Sequence, residues 1–526
     1  MKFLKIKNLS IVFLLSLFIL SMGIYVRELV FCSQEDESLR LFSNVLRNIE
    51  MSYVDEVDTE KLVYDGISGM LNKLDPHSNF LDKVASKEMK EDQEGSFFGI
   101  GIQFNMIEDK ITVITPIEGT PAYKAGLRAG DRIVEINGEN AIGISQRDVL
   151  KKLKGPKGTS VDIGVEREGL KELLEFTLIR DKIPSVSVPY SFMLNDDIGY
   201  IRIIKFSQTT YNETEAAITE LEENNLKGLI IDLRSNQGGL LDQAIKVSDM
   251  FIEGGKEIVS TRGRIRGSDK KYYSTNKFTH PFYPIVVLVN YGTASGAEIL
   301  AGAIQDHDRG IILGSRTWGK GLVQNMYPLP MGCTVIITTQ KYYTPSGRCI
   351  QKSYEEYKKI FRDPNLESEA FVLDENANKE IFYTELKRKV YGGGGITPDV
   401  FFKVNKISDS FKILILNDLI TRFGMHYATF NKDLPYDFQI DDVIMKEFET
   451  YVKDKNIEVD FSSIKDEMGE IKLWLKRDIL TSLFGSEKSA EFWMKNDPEV
   501  IKAIELIPES AALMAKRIAF NNSQKK

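Results

Sequence analysis

The sequence predicts an α/β core with an inserted, mainly β domain, a helical segment before both and an α-helical region after them. Three patterns indicate this arrangement. Strands of buried type alternate with amphipathic helices over residues 198–398. Short β-type runs between Gly, Pro and Asn turns fill residues 95–180, and apolar stripes at helical spacing follow Val404. A chain of 526 residues is long enough for roughly three or four domains.

The composition is that of an ordinary folded protein. Hydrophobic residues make up 42% of the chain and charged residues 27%, which excludes a disordered chain and a polytopic membrane protein. The net charge of -8 provides no chain-wide positive field, so we expect no nucleic-acid partner. The three cysteines and four histidines lack C-x-x-C or H-x-x-x-H spacing, so we expect no metal and no other cofactor.

The N-terminus predicts where the chain works. Three lysines precede an uncharged run over residues 9–26, which as a helix would extend roughly 27 Å, close to the thickness of a bilayer. We favour a retained anchor within residues 1–31 over a cleaved signal peptide, because the run is long and no small-x-small cleavage site precedes Arg27. The flanking charges place the following chain outside the cytosol, in the periplasm or cell envelope of a bacterium. Cys333 and Cys349 could pair there, although we expect two free thiols.

The chain beyond this segment divides into four predicted regions. Leu41, Val45 and Ile49 recur at helical spacing near its start, and two long apolar stripes lie between residues 444 and 479. We interpret the final region as a helical cap, or as a surface for a second copy or an adaptor. The predicted boundaries are 38–92 for the helical N-terminal segment, 95–182 for the β domain, 183–400 for the α/β core and 401–526 for the helical C-terminal region.

The β domain begins with a loop suited to peptide capture. Gly99 and Gly101 lead directly into an alternating strand. Such a loop can offer bare backbone N–H groups to a carboxylate, while the strand edge pairs with an added peptide strand. A helix that opens at Ser145, with Asp148 three residues on, would form the other side of the groove. The predicted peptide contacts are Phe98, Gly99, Ile100, Gly101, Ile102 and Val149.

Further motifs in the same region support this interpretation. They are Gly119-Thr120-Pro121-Ala122, residues 125–133 and Ile136-Asn137-Gly138. Together with the glycine loop they resemble a PDZ domain that spans about residues 95–180. The resemblance implies recognition of a polypeptide C-terminus. A structural β module without a ligand is the alternative.

Ser295 lies at a corner between a strand and a helix. Residues 284–290 read as a buried strand and residues 296–304 as an apolar helix. Such a corner exposes the hydroxyl, and the N–H of Gly296 at the helix start would face an oxyanion formed beside it. A serine in this place is more often a helix N-cap, so a nucleophile needs a second element.

Lys320 is the candidate for that second element. It lies among glycines and apolar residues, directly after a predicted strand at residues 311–313. Burial would disfavour the charged ammonium, and the free amine could then accept the hydroxyl proton of Ser295. Gln324, four residues on, could hold the amine by a hydrogen bond.

A third element could complete the site. In residues 232–239 a strand ends in two glycines before a helix begins. Either Gly238 or Gly239 could supply a second N–H to the oxyanion, although loop flexibility alone would explain the pair.

The core motifs together resemble the C-terminal processing (tail-specific) proteases. These motifs occupy residues 232–239, 293–304, 314–324, 343–348 and 394–399, and Leu74-Asp75-Pro76-His77-Ser78 fits the N-terminal region of that family. The similarity covers about residues 41–400. The resemblance implies an α/β protease core with crotonase-like β/α layers, an inserted PDZ domain and serine endopeptidase activity.

The same resemblance assigns the site residues. It implies Ser295 as the nucleophile, Lys320 as the general base and Gln324 as the residue that orients Lys320. The family motif usually reads Ser-Ala-Ser-Ala-Ser-Glu, whereas this chain has Thr293-Ala294-Ser295-Gly296-Ala297-Glu298. Glycine at position 296 retains the backbone donor.

The histidines offer a different triad. A Ser295/His307/Asp arrangement would be the commoner serine-hydrolase chemistry. We disfavour it because His307 lies twelve residues downstream at a charged helix end, where we expect it to face solvent. His280 and His426 are expected to be surface or interface residues.

The sequence therefore predicts an envelope serine endopeptidase that cleaves proteins near their C-termini. Its PDZ domain would recognise substrate tails and gate the activity, and its partners would be proteins or peptides with free C-termini. The alternative is a catalytically inactive, envelope-tethered peptide-binding scaffold.

Overall fold

The computed structural model describes residues 37–275, 280–357, 380–403 and 407–524. The described residues separate into two compact units, one made of residues 37–82 with 328–336 and the other of the remaining described residues. The predicted anchor at residues 9–26 lies outside the described residues. Within the described ranges, no helix is both long enough and apolar enough to cross a membrane.

The first unit is helical with one short strand pair. Helix α1 covers residues 37–52, α2 covers Thr59–Leu71 and strand β1 covers Asn79–Leu81. Asp58 caps α2 by accepting a hydrogen bond from the N–H of Lys61. Strand β1 pairs antiparallel with residues 334–336, which the sequence pattern did not predict.

Most of the predicted β domain is one antiparallel sheet. Helix α3, Lys83–Glu94, precedes it. Its strands are β2 Ser96–Gly99, β3 Ile102–Ile107, β4 Lys110–Pro116, β5 Arg132–Ile136, β6 Glu139–Asn140, β7 Ser160–Glu166, β8 Leu174–Ile179 and β9 Asp181–Pro184, and its helices are α4 Pro121–Lys124 and α5 Gln146–Leu153. The sheet order is β3-β4-β5-β7-β8, with β6 on β5 and with β2 paired separately to β9. Strand β3 is therefore an edge strand, next to which a further strand could add.

The predicted α/β core contains a six-stranded sheet. Its members are β10 Tyr190–Met193, β11 Ile198–Arg202, β12 Gly228–Asp232, β15 Ile285–Val289, β16 Ile311–Gly314 and β21 Val400–Phe401, in the order β10-β11-β12-β15-β16-β21. All neighbours are parallel except β10 and β11. The largely parallel sheet that the sequence predicts is confirmed. Because β12, β15 and β16 are parallel neighbours, the segments that follow them emerge at the same edge of the sheet.

Helices cover both faces of this sheet. Helices α6 Thr210–Glu223, α7 Leu241–Asp249 and α8 Gly296–Asp306 bury the face that carries Ile231 and Val287. The opposite face carries Tyr200, Ile230 and Leu288 and packs against the C-terminal helix α13, Pro498–Gln524. Alternate residues of each strand point to opposite faces, so both faces are apolar and the strands read as continuous hydrophobic runs.

A second sheet and a hairpin complete the core. The second sheet includes β13 Glu257–Gly263, β14 Lys270–Tyr273, β17 Leu322–Pro328 and β18 Thr334–Tyr343, and the hairpin is β19 Ile381–Tyr383 with β20 Lys389–Tyr391. Residues 340–343 of β18 pair antiparallel with β13.

The helical C-terminal region has a core of its own. Its first helices are α9 Asp409–Leu416, α10 Leu419–Phe430, α11 Asp442–Asp454 and α12 Met468–Asn496, which α13 follows. Phe411, Phe423 and Phe448 are completely or almost completely buried among them. Gly424 of α10 lies against Asp478 of α12, where an added Cβ would approach within 2.9 Å of the Asp478 Cβ. The close helix contact explains the glycine at this position.

We expect Leu506→Ala to destabilise the protein by about 2–4 kcal/mol, because Leu506 of α13 is only 7% exposed and packs on the six-stranded sheet. Ile501 on the same helix is 44% exposed, so Ile501→Ala should cost less than about 0.5 kcal/mol. Urea unfolding of both variants measures the difference. Equal stabilities would show that α13 is not docked on the sheet.

Candidate active site

Ser295 occupies the corner between β15 and α8, as predicted. It is the N-cap residue of α8 and has φ 53° and ψ -116°. A non-glycine residue at such positive φ is strained, and strain of this kind persists only where surrounding contacts hold it. The Thr293 hydroxyl donates to the carbonyl of Leu233 at 2.8 Å, and the N–H of Ala294 donates to the carbonyl of Asn236 at 2.8 Å. These bonds fix the corner to the segment after β12.

Lys320 follows β16, the parallel neighbour of β15. Its side chain is half-buried, and its Nζ donates a 2.7 Å hydrogen bond to Oε1 of Gln324. The Lys320–Gln324 contact therefore exists in the structure. The carbonyl of Gly319 accepts from the Tyr357 hydroxyl at 2.7 Å and from the N–H of Lys352 at 2.9 Å, which fixes the loop beside Lys320.

The side chain of Glu298 connects the two segments. Its Oε2 accepts from the N–H of Ser295 at 2.8 Å and from the N–H of Lys320 at 2.9 Å. These two backbone nitrogens are thus held within roughly 6 Å of each other by one oxygen atom. Oε1 accepts from the hydroxyl of Thr317 at 2.5 Å and from the N–H of Gly319 at 2.8 Å.

Glu298 is completely buried. Burial raises the pKa of its carboxyl above the ordinary value, and the donated hydrogen bonds oppose that effect. All four contacts are donated to it, so both oxygens act as acceptors. A buried carboxylate that accepts four hydrogen bonds holds these segments together firmly. Its removal would leave buried backbone N–H groups without acceptors, which costs stability.

The backbone N–H of Gly296 and the Gly238-Gly239 pair lie close to Ser295. The N–H of Gly296 is the first of α8 and has no intrahelical acceptor. Gly238 lies against this corner, because a Cβ added to it would approach within 2.7 Å of both the Ser295 Cβ and the Gly296 nitrogen. The N–H of Gly238 already donates to Oδ1 of Asn236 at 2.8 Å. The N–H of Gly239 has no acceptor within the described parts of the chain, so of these two glycines it is the one whose N–H stays available to a ligand.

Arg234 fixes the base of the same loop through ion pairs. Its guanidinium binds the buried carboxylate of Asp232 through Nε and Nη2, the latter at 2.7 Å. Its Nη1 donates to Oδ2 of Asp497 at 2.8 Å and to Oε2 of Glu499 at 3.0 Å. Burial raises the pKa of Glu499 to about 7, and Arg234 opposes the rise. The C-terminal region thus supplies two carboxylates to the loop that carries Gly238 and Gly239.

The predicted peptide-binding loop of the PDZ domain has donors available. The carbonyl of Ile100 accepts from Ala122 at 2.9 Å and that of Gly101 accepts from Ile117 at 2.9 Å. In the described structure the N–H groups of Ile100 and Gly101 have no acceptors. Gly101 has φ +83°, and an added Cβ would overlap Thr120, so only glycine fits here.

The other predicted peptide contacts differ in accessibility. Phe98 is 39% exposed and Ile102 is half-buried on the edge strand β3. Gly99 ends β2 and pairs with Asp181. Val149 is completely buried, because the apolar face of α5 packs into the PDZ core, and it presents no surface to a ligand in this structure.

Family models match three parts of the chain. Residues 197–357 match peptidase family S41, residues 112–167 match a PDZ domain, and residues 28–85 match the N-terminal domain of the activating protease CtpB. A carboxy-terminal-processing protease of Bartonella bacilliformis is 40% identical over 60% of this chain and 73% of its own length. The chain belongs to the carboxy-terminal processing proteases. It is therefore a serine peptidase of family S41 with a PDZ domain.

A second curated relative and a solved structure are also similar to this chain. The carboxy-terminal processing protease CtpA of Bacillus subtilis is 37% identical over 61% of this peptidase and 68% of its own length. A solved photosystem II D1 C-terminal processing protease is 28% identical, covers 69% of this chain and 92% of its own, and has a TM-score of 0.35. Membership of this family, shown by the Bartonella and Bacillus sequence relatives, supports the enzymatic interpretation over the inactive scaffold.

The expected position of His307 was wrong. His307 is only 4% exposed, with Nδ1 3.1 Å from Oε1 of Glu385 and Nε2 donating to the carbonyl of Glu257 at 2.7 Å. It caps the C-terminus of α8, an 11-residue helix roughly 16 Å long whose other end is Ser295. The distance between Ser295 and His307 therefore excludes a Ser295/His307/Asp triad. The charged segment around His307 is buried because its neighbours form ion pairs. Asp306 binds Arg348 at 2.7 Å within the protein interior.

The structure also shows where His280, His426 and two of the cysteines lie. His280 is 5% exposed between Glu215 and Glu222, so the expected surface position was wrong: two carboxylates compensate its burial. His426 is at the surface, with Nδ1 2.7 Å from Oε1 of Glu168. Cys333 and Cys349 are free thiols, as predicted.

The sequence analysis missed the role of Glu298. The pattern that could have revealed it is Ser295 followed three residues later by a glutamate, which is the spacing of a capping box. The contribution of Asp497 and Glu499 had no comparable local signal, because Arg234 lies more than 260 residues away in sequence.

We expect Glu298→Gln to lower kcat for polypeptide cleavage by about 100-fold, because an amide nitrogen would face backbone N–H donors and displace Ser295 and Lys320. One buried donor left without a partner should cost about 1–3 kcal/mol of stability. A cleavage assay and thermal unfolding measure the two effects. Asp242→Asn, at an exposed ion pair with Lys246, is the control and should change neither. Full activity of Glu298→Gln would contradict this role of the carboxylate.

Proposed function

We propose that this peptidase cleaves proteins near their C-termini with Ser295 as nucleophile and Lys320 as general base. The observation that supports the pair best is the Glu298 carboxylate, which binds the backbone N–H of both residues. The side chains of the pair thus start from two backbone positions held at a short separation. The Gln324 contact to Nζ limits the directions in which the amine can point.

The proposed reaction begins with neutral Lys320. Its Nζ accepts the Ser295 hydroxyl proton as Oγ attacks the scissile carbonyl carbon. The N–H groups of Gly296 and Gly239 stabilise the resulting oxyanion. The Lys320 ammonium then gives its proton to the departing amine, which leaves an acyl-enzyme. Lys320 then takes a proton from water as the water oxygen attacks the ester carbonyl carbon. The bond to Ser295 Oγ breaks, Oγ receives the proton from Lys320, and the new C-terminus is released.

We further propose that the PDZ domain binds the substrate's C-terminal tail and gates cleavage. The N–H groups of Ile100 and Gly101 would receive the terminal carboxylate, and the tail would add to the free edge of β3. The last side chain would contact Phe98 and Ile102. Binding of the tail would shift the domain toward the arrangement that supplies substrate to Ser295.

The proposed location is the cell envelope. The uncharged run at residues 9–26 supports an anchor in the cytoplasmic membrane, with the peptidase on the outer side. Binding of a second copy or an adaptor through residues 401–526 stays a prediction.

We expect Ser295→Ala and Lys320→Met to abolish cleavage of an unfolded polypeptide, with losses of at least about 1,000-fold in kcat. In the wild type, kcat/KM should rise with pH as the amine loses its proton. Mass spectrometry of the products locates the cleavage sites. Both variants should retain the thermal unfolding midpoint within about 5 °C. Residual cleavage by correctly folded Lys320→Met would rule out the lysine as base.

We expect Phe98→Ala to weaken tail binding about tenfold, because its exposed ring would lose contact with the terminal side chain. Fluorescence anisotropy of a labelled C-terminal peptide in the Ser295→Ala background measures the Kd. Ile142→Ala removes another exposed side chain of the PDZ domain and is the matched control, with an unchanged Kd. An unaltered Kd in Phe98→Ala would place the tail elsewhere.

A further inference from the structure

Arg234 is the point at which the C-terminal region reaches the proposed oxyanion site. The residue lies two positions after β12 and four before Gly238. Three carboxylates surround its guanidinium: Asp232, two positions earlier in sequence, and Asp497 and Glu499 from the C-terminal region. Only 13% of the Arg234 side chain is exposed, so these charge-assisted bonds are largely shielded from water.

Asp497 is itself held in place. Its Oδ1 accepts from the N–H of Glu499 at 2.8 Å and of Val500 at 3.3 Å, while Oδ2 binds Arg234. It therefore caps the start of α13 with one oxygen and binds the loop with the other. Helix α13 is in turn fixed to the sheet, because the Ser510 hydroxyl donates to the carbonyl of Ile285 at 2.8 Å.

The loop after Arg234 leads directly to the proposed oxyanion donors. The N–H of Ser235 donates to Oδ1 of Asn290 at 2.7 Å, and the side chain of Asn236 donates to the carbonyl of Ile203 at 2.8 Å. Ser235 has φ 60°, a strained value for a residue other than glycine. A strained loop needs external contacts to stay in one conformation, and the ion pairs of Arg234 provide them at its beginning.

We propose that Asp497 and Glu499 are positioning residues that hold the oxyanion-binding loop in its productive conformation through Arg234. The inference rests on the proposed oxyanion role of Gly239 and Gly296. Neither carboxylate contacts substrate. Their effect is on the placement of the Gly239 N–H, where a displacement of about 1 Å is enough to cost a large factor in rate.

The test uses the full chain with Glu499→Gln, Asp497→Asn and the double variant. Asparagine keeps an oxygen that can cap α13, so the helix start is retained. Glu505→Gln removes a carboxylate from the same helix, where it pairs with Lys502, and is the matched control. End-point labelling of Ser295 with a fluorophosphonate gives the concentration of active sites.

The double variant should lose about 10- to 100-fold in kcat per labelled site, with KM within about twofold of wild type. A peptide aldehyde, whose adduct places an oxygen in the oxyanion site, should lose affinity by a similar factor. The Kd of an uncleaved tail peptide in the Ser295→Ala background should not change. Each single variant should lose about threefold to tenfold in kcat, and the control less than twofold.

A purely structural role would lower the fraction of labelled sites but leave kcat per site and aldehyde affinity unchanged, and that outcome overturns the inference. If the double variant does not fold, Glu499→Gln alone decides by the same two measurements. A wild-type protein that cleaves nothing would instead contradict the proposed function. Active wild type with equally active variants would contradict only the positioning role.

Discussion

The carboxylate of Glu298 is the constraint on which the active site depends. It joins a strand-to-helix corner to a loop 25 residues later, and it does so inside the protein where no water can replace it. The same carboxylate therefore fixes the backbone positions of Ser295 and Lys320 relative to each other. The strained dihedral angles of Ser295 are tolerable because this side chain and the segment after β12 hold the corner from both sides.

Local patterns were enough to predict the elements of the core. The strand at residues 285–289 is a continuous apolar run, and the next helix begins after a serine, so both could be read from neighbouring residues. In the structure, the parallel strands place the backbones of Ser295, Lys320 and the glycine pair at one sheet edge. The sequence analysis grouped these residues by their local motifs and by the family resemblance, without the strand order.

Contacts between distant charges could not be predicted in the same way. A charged segment such as residues 305–309 looks exposed unless its partners are known. Here Arg348 and Arg388 provide those partners from 42 and 80 residues away, and His307 is buried with them. The helices of the C-terminal region were predicted from their apolar stripes, but their attachment to Arg234 depends on tertiary structure alone. The same region also contacts the PDZ domain, where Arg422 binds Glu108 and His426 binds Glu168.

The packing of α13 on the central sheet has a consequence for biosynthesis. The side chains of Tyr200, Ile230 and Leu288 become buried when Val500 and Leu506 of α13 pack on them. At about 5–20 residues per second, a ribosome needs roughly 5–20 s to travel from the last strand of this sheet, which ends at Phe401, to Leu506. During that interval one face of the nascent sheet exposes apolar side chains to solvent. Molecular chaperones bind exposed apolar surface of this kind. Because of the same delay, the fold of the peptidase is completed only after most of the chain has been synthesised.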